Sequence, residues 1–172
     1  MSELDRMIDA NRRYASAFAD GDKPMPPARH VAILTCMDAR IHPETALGLS
    51  IGDAHMIRNA GGRASDDAIR SLIISSRLLG TNEFAVIHHT DCGMLTFTNE
   101  QLRQKLADEA GTDASGIDFL PFPDLRQSVV DDVHRILDTP HLDDRIAVSG
   151  FIYDVHSGKV EEVVPATTRA TA

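Results

Sequence analysis

Apolar and polar positions alternate along the chain on two different periods. The runs HVAILTC, DAHMIRN, EFAVIHH and DRIAVSGFIYDV are short, apolar and bounded by turn residues, so they are predicted strands, the second the weakest. A turn at HSGK leads into a final short strand, VEEVV. Longer stretches carry their apolar residues at helical spacing instead. ELDRMIDANRRYASAFAD is an N-terminal helix, joined by the Pro- and Gly-rich GDKPMPPARH to the first strand. HPETALGL is a short helix with Pro near its first turn. SDDAIRSLIISSRLLG has Ser65 to cap its start, two acids in its first turn and a closing glycine. TNEQLRQKLADEAG opens with Thr98 and Gln101 in a capping-box arrangement, and FPDLRQSVVDDVHRILDTP stops before Pro140.

Strands separated by helices predict an α/β fold, a central and mostly parallel sheet flanked by helices. There is no internal repeat and no long linker. The expectation is one domain over residues 1–172, with 1–29 as a helical arm and 30–172 as the α/β core.

Composition narrows the function classes. The chain is 42% hydrophobic and 25% charged, with no biased tract, as in an ordinary globular protein. A net charge of −9 repels phosphate, so neither nucleic acid nor an anionic membrane is an expected partner. No apolar run reaches membrane-spanning length and the polar N-terminus is not signal-like, which makes the cytoplasm the default compartment. A cytoplasmic chain of this size has little need of a disulfide. Its two cysteines, Cys36 and Cys92, are then free thiols, a redox pair or metal ligands.

The position of those cysteines carries the chemistry. In parallel sheets, ligand sites form just beyond the carboxyl ends of strands, and Cys36 and the His88–Cys92 segment both fall there. In HTDC a tight turn brings residues i and i+3 within about 7 Å, close enough for His89 and Cys92 to share one ion. Alternation along the strand sends His88 to the opposite face. Cys36 then completes a two-cysteine, one-histidine set that suits zinc better than magnesium or calcium and leaves a fourth position open, as catalytic sites do. If the strand continues briefly through CMDAR, Asp38 and Arg40 point the same way as Cys36. The competing readings are two small buried thiols or a redox pair, although no C-x-x-C motif is present. Elsewhere than beside Cys36, Asp38 and Arg40 would read as a routine surface ion pair.

Three blocks in this order, CMDAR, RNAGG and HTDCG, resemble the signature of the β-class carbonic anhydrases, and the resemblance covers about residues 30 to 155. The short length and HHTDCGMLTF are most similar to its compact bacterial and fungal branch, which also contains carbonyl sulfide hydrolases and a relative acting on carbon disulfide. The resemblance implies one Zn2+ per chain held by Cys36, His89 and Cys92. It implies Asp38 and Arg40 as catalytic residues: Asp38 accepts a hydrogen bond from zinc-bound hydroxide while Arg40 holds it, or, in a closed state, becomes the fourth ligand. It gives Gly93 a backbone N–H for substrate, and it implies a homo-oligomer, dimer or tetramer, whose N-terminal helix embraces the partner.

The expected activity is reversible hydration of CO2 to bicarbonate. The alternative is carbonyl sulfide hydrolysis by the same chemistry, and a third reading is a non-catalytic zinc or redox-sensing protein, against which an intact Asp38–Arg40 pair argues. NAGG reads as a tight turn near the site rather than a phosphate loop, because no P-loop or G-x-G-x-x-G pattern accompanies it. His88 has two roles open to it, a buried, hydrogen-bonded packing residue, which is favoured, or a group that supports a metal ligand or transfers a proton; its exchange is expected to leave zinc in place. His42, His55, His134, His141 and His156 lack ligand spacing. Met37, Phe84, Met94, Leu95 and Phe97 are candidates for an apolar substrate path or for the core.

Overall fold

The computed structural model describes residues 2–172. Helix α1 (Glu3–Ser16) comes first, then strand β1 (Val31–Cys36), the one-turn helix α2 (Pro43–Ala46) and β2 (Ala54–Asn59). Helix α3 (Asp66–Leu79), β3 (Glu83–His89), α4 (Asn99–Ala110) and α5 (Leu125–Leu137) follow, and β4 (Ala147–Tyr153) and β5 (Val160–Thr167) end the sheet. The strand order is β2-β1-β3-β4-β5. The first four strands run parallel and β5 returns antiparallel to β4, so the predicted mostly parallel α/β architecture is what the chain adopts.

The helix signals act where the sequence puts them. The Ser65 side chain accepts from the Ala68 N–H, Asp66 and Asp67 sit in the positive first turn, and left-handed Gly80 closes α3. Thr98 and Gln101 form both halves of the capping box on α4. Two expectations shift. The first helix ends at Ser16 rather than running on to Asp20, ahead of the Gly- and Pro-rich stretch that cannot continue it. The last strand is longer than VEEVV, because its register carries on to pair Thr167 with Val148.

The main core lies under α3 and α5, where Ala32, Leu34, Phe84, Val86 and Val148 of the sheet meet Ala68 and Leu72 of α3 and Val133 and Ile136 of α5. Truncating fully buried Leu72 to Ala would cost about 2–5 kcal/mol. A second, smaller cluster sits at the carboxyl ends of the strands and contains Cys36, Ile41, Cys92, Met94 and Phe122. Phe84 therefore belongs to the main core, away from the cysteines, and Met37 is 65% exposed. Met94, with Leu95 and Phe97 packed against it, is the part of the predicted apolar lining that gathers around the thiols.

Candidate metal centre

β1 ends on Cys36 and its parallel neighbour β3 ends on His89, so two donors arrive side by side at one edge of the sheet. Cys92 follows through a turn in which Asp91 adopts a left-handed φ of 57°. That turn is tied to β4: the Thr90 N–H donates to Tyr153 O at 2.9 Å and its hydroxyl accepts from Val155 N at 3.1 Å. The ligand atoms of Cys36, His89 and Cys92 all lie within 4.8 Å of one another, and all three residues are buried. Both cysteines are free thiols.

His89 identifies what the cluster lacks. Its Nδ1 lies 2.8 Å from Thr90 O, an acceptor, so Nδ1 carries the proton and Nε2 presents a lone pair. That Nε2 is the buried side-chain polar atom with no hydrogen-bond partner among the described residues. An unsatisfied buried acceptor costs about 1–3 kcal/mol, and a bound cation removes the deficit. Imidazole with two thiol sulfurs suits a soft or borderline cation, and three donors leave a coordination position open.

The ionisation pattern agrees. Cys36 is held well below the ordinary thiol range by the Cys92 thiol, against the effect of burial, and by the His89 ring and the Asp38 and Gly61 N–H groups. Cys92 is pushed up by that same sulfur and by burial. Burial works to lower the His89 pKa, but the Cys36 sulfur, the Thr90 carbonyl and Asp38 outweigh it and raise it. The pocket attracts positive charge.

Asp38 and Arg40 stand at its mouth, by a different route from the one predicted. β1 stops at Cys36, and a turn closed by Ile41 N–H to Asp38 O at 3.1 Å folds Arg40 back onto Asp38. Asp38 Oδ1 accepts from Arg40 N at 2.9 Å and Nε at 3.0 Å, and Oδ2 accepts from Nη2 at 2.8 Å. The guanidinium holds the Asp38 carboxyl well below the usual carboxylate range. Oδ2 is also 3.8 Å from His89 Nε2, so it faces the same space as the unpartnered nitrogen.

Several contacts were absent from the sequence reading. Arg40 has a second partner, donating to Asp91 Oδ2 at 2.7 Å and to Asp91 O at 3.0 Å. Arg58 on β2 donates to Cys36 O at 3.0 Å and to Asp38 O at 2.8 Å, fixing the backbone between the thiol and the carboxylate. AGG of the NAGG motif is a single 3-10 turn with Gly61 and Gly62 both left-handed, as the turn reading expected. A Cβ on Gly62 would lie 2.9 Å from Cys36 N, so only glycine lets this turn rest on the strand end. His88 points away from the thiols, with its Nδ1 2.8 Å from Ser128 Oγ. Gly93 is exposed just after Cys92. His42, His134, His141 and His156 are exposed, and His55 is half-buried against Ser75. A cavity of about 570 Å³ between Arg77, Asn82 and Arg145, at the opposite strand ends, takes no part in the cluster.

Comparison with known proteins agrees with this geometry. A family described as carbonic anhydrase matches residues 31–115. The chain is 44% identical over 167 residues to β-carbonic anhydrase 1 of Mycobacterium tuberculosis, covering 96% of this chain and 100% of that protein. It is 34% identical to a carbon disulfide hydrolase of Saccharolobus solfataricus, covering 81% and 80%. A crystal structure of carbonic anhydrase from Streptococcus mutans superposes with a TM-score of 0.91 at 48% identity, over 95% of this chain and 98% of that one. With sequence, fold and the thiol–imidazole cluster in agreement over nearly its whole length, the chain belongs to the β-carbonic anhydrase family.

Proposed function

We propose that this chain is a zinc enzyme that interconverts CO2 and bicarbonate, with one zinc held by Cys36, His89 and Cys92. The observation that carries the reading is an incomplete donor set, two sulfurs and an unpartnered imidazole nitrogen, opening beside a carboxylate locked by an arginine. Zinc bound there supplies a Lewis acid that makes water nucleophilic near neutral pH.

The remaining work falls to side chains. Asp38 is kept ionised by Arg40, so it acts only as an acceptor. Oδ2 makes one bond to Arg40 and keeps lone pairs free toward the open position, where it takes a hydrogen bond from a water-derived O–H and turns that oxygen's lone pair toward the substrate carbon. Arg40 is itself held by Asp91, so the carboxylate is oriented before substrate arrives. Asp38 is engaged by Arg40, an arrangement that would leave the fourth position of a bound zinc to water. Ile41, Met94 and Phe122 surround the thiols with apolar surface, compatible with a small uncharged substrate. Gly93 offers its backbone N–H from the turn after Cys92.

The 34% identity to a carbon disulfide hydrolase keeps a second reading, carbonyl sulfide hydrolysis to H2S and CO2 at the same centre. We also infer a homo-oligomer, dimer or tetramer. Leu4, Met7, Ile8 and Tyr14 form a stripe on α1 that buries nothing within the chain, and a second copy would cover it. No described helix is long and apolar enough to cross a membrane, and ligand thiols that must stay reduced support a cytoplasmic location.

One purified preparation tests the function. We expect about one zinc per chain and a catalytic efficiency on CO2 above that on carbonyl sulfide. Dominant carbonyl sulfide turnover with feeble CO2 hydration would reverse the order, and a zinc-free active enzyme would remove both readings.

A further inference from the structure

The buried charges not assigned to the metal centre gather at one place. Asp132, in the middle of α5, has a side chain only 2% exposed, with Arg63 at 13% and His88 at 1% around it. Asp132 Oδ2 accepts from Arg63 Nε at 2.8 Å, and Oδ1 accepts from Nη2 at 3.2 Å. His88 Nε2 lies 3.1 Å from Asp132 Oδ2 and 3.2 Å from Gly62 O. Both are acceptors, so this nitrogen carries the proton. Phe122 packs on both partners of Asp132, its ring centroid 5.5 Å from that of His88 and 5.2 Å from the Arg63 guanidinium carbon.

A buried ion pair is a poor way to add stability, since apolar side chains of similar volume do as well. What singles this one out is where it reaches. Both side chains that meet Asp132 grip one turn: Arg63 follows Gly62 in the chain, and His88 holds the Gly62 carbonyl. Asn59 closes the turn from its other end, donating to Arg63 O at 2.7 Å and accepting from Arg63 N at 2.8 Å. The turn so fixed rests on the end of β1, so close that a Cβ on Gly62 would lie 2.9 Å from Cys36 N.

We propose that Asp132 is a positioning residue for the metal centre, holding through Arg63 and His88 the Gly61–Gly62 turn that sets the place of Cys36. This rests on the reading of Cys36 as a metal ligand. Groups that hold a ligand from behind change metal affinity about 10- to 100-fold when removed. A displaced strand end also changes the distance and angle at which the sulfur meets the metal.

The test uses the zinc-loaded protein and its cobalt-substituted form. Asp132→Asn should still bind about one zinc per chain but release it to a chelator about tenfold faster or more, with a shifted sulfur-to-cobalt charge-transfer band. Asp131→Asn, on the exposed side of the same helix, should match wild type in both measurements. His88→Gln removes the ring that meets Gly62 O, Asp132 and Ser128, leaves Arg63 and Asp132 paired, and should move both in the same direction by less. If Asp132→Asn fails to fold, His88→Gln decides by the same two readouts. Release rates and cobalt spectra equal to wild type would overturn the proposal while leaving the metal reading intact. A wild-type protein whose zinc content is unaffected by Cys36→Ser would instead sink the metal reading, and the proposal with it.

Discussion

His88 and His89 are neighbours in the chain, both buried, and they sit in pockets of opposite character. On one side of β3, both His88 nitrogens meet protein groups: Ser128 Oγ, Asp132 and Gly62 O. On the other side, His89 uses only Nδ1 and leaves Nε2 buried without a partner. Identical chemistry thus has two uses one residue apart. A satisfied imidazole rigidifies the structure around it, whereas one with a free lone pair has affinity to spare for a ligand. Burial does not separate the two histidines, since both are fully buried. An unmet hydrogen-bonding capacity does.

The most severe way to break this contrast is to exchange the members of each pocket in turn. Cys36→Ser should abolish stoichiometric zinc and reduce CO2 hydration to background, while His88→Gln should keep about one zinc per chain. Metal analysis by mass spectrometry decides it, and a zinc content that follows His88 rather than Cys36 would invert the assignment. Next in size is Asp38→Asn, which removes the carboxylate charge but none of the three ligands. Zinc should remain while turnover falls by about 10²- to 10⁴-fold, the usual contribution of a positioned proton-handling group. Unchanged turnover would take Asp38 out of the mechanism. On the His88 side the corresponding loss is one of stability. Ser128→Ala leaves a buried ring nitrogen unmet and should cost about 1–3 kcal/mol in denaturant unfolding, with zinc content unchanged.

The two pockets were also unequally legible in the sequence. His89 and Cys92 are three residues apart, so a local turn brings them together, and Cys36 could be joined to them because adjacent parallel strands end side by side. Helix caps such as Ser65 and Thr98 were readable for the same reason, each acting within one turn of itself. The His88 pocket is built from residues far apart. Arg63 and Asp132 are separated by 69 positions and His88 and Ser128 by 40, and only packing of α5 on the sheet unites them. No periodicity records such a meeting, and Asp132 in VVDDVHRIL looks like any other acid of an amphipathic helix. Asp38 and Arg40 do pair, but a turn and not strand alternation brings them together. Asp91 stood inside the quoted HTDC block, yet its grip on Arg40 depends on a left-handed backbone that its side chain gave no reason to expect.

His55 is an intermediate case that sharpens the comparison with the smallest effect. It lies on β2, half-buried, with Nδ1 2.6 Å from Ser75 Oγ, which in turn lies 2.7 Å from Thr81 Oγ1. Burial lowers its pKa below the ordinary value of 6.5, because the charged ring loses solvation without gaining a carboxylate. The sign follows from proton counting. Between the folded and unfolded pKa values the unfolded chain binds more protons, so stability rises with pH there. The contribution is fully present above about 6.5, where the ring is neutral in both states, and is lost as pH falls through the folded value. His55→Gln keeps an amide to meet Ser75 but has nothing to titrate. The acid side of its stability profile, measured by denaturant unfolding at a series of pH values below about 6.5, should therefore be flatter than that of wild type. Identical slopes would mean that the His55 ring takes up its proton in the fold as readily as in the unfolded chain, and that partial burial against Ser75 and Thr81 leaves it as free as a surface histidine.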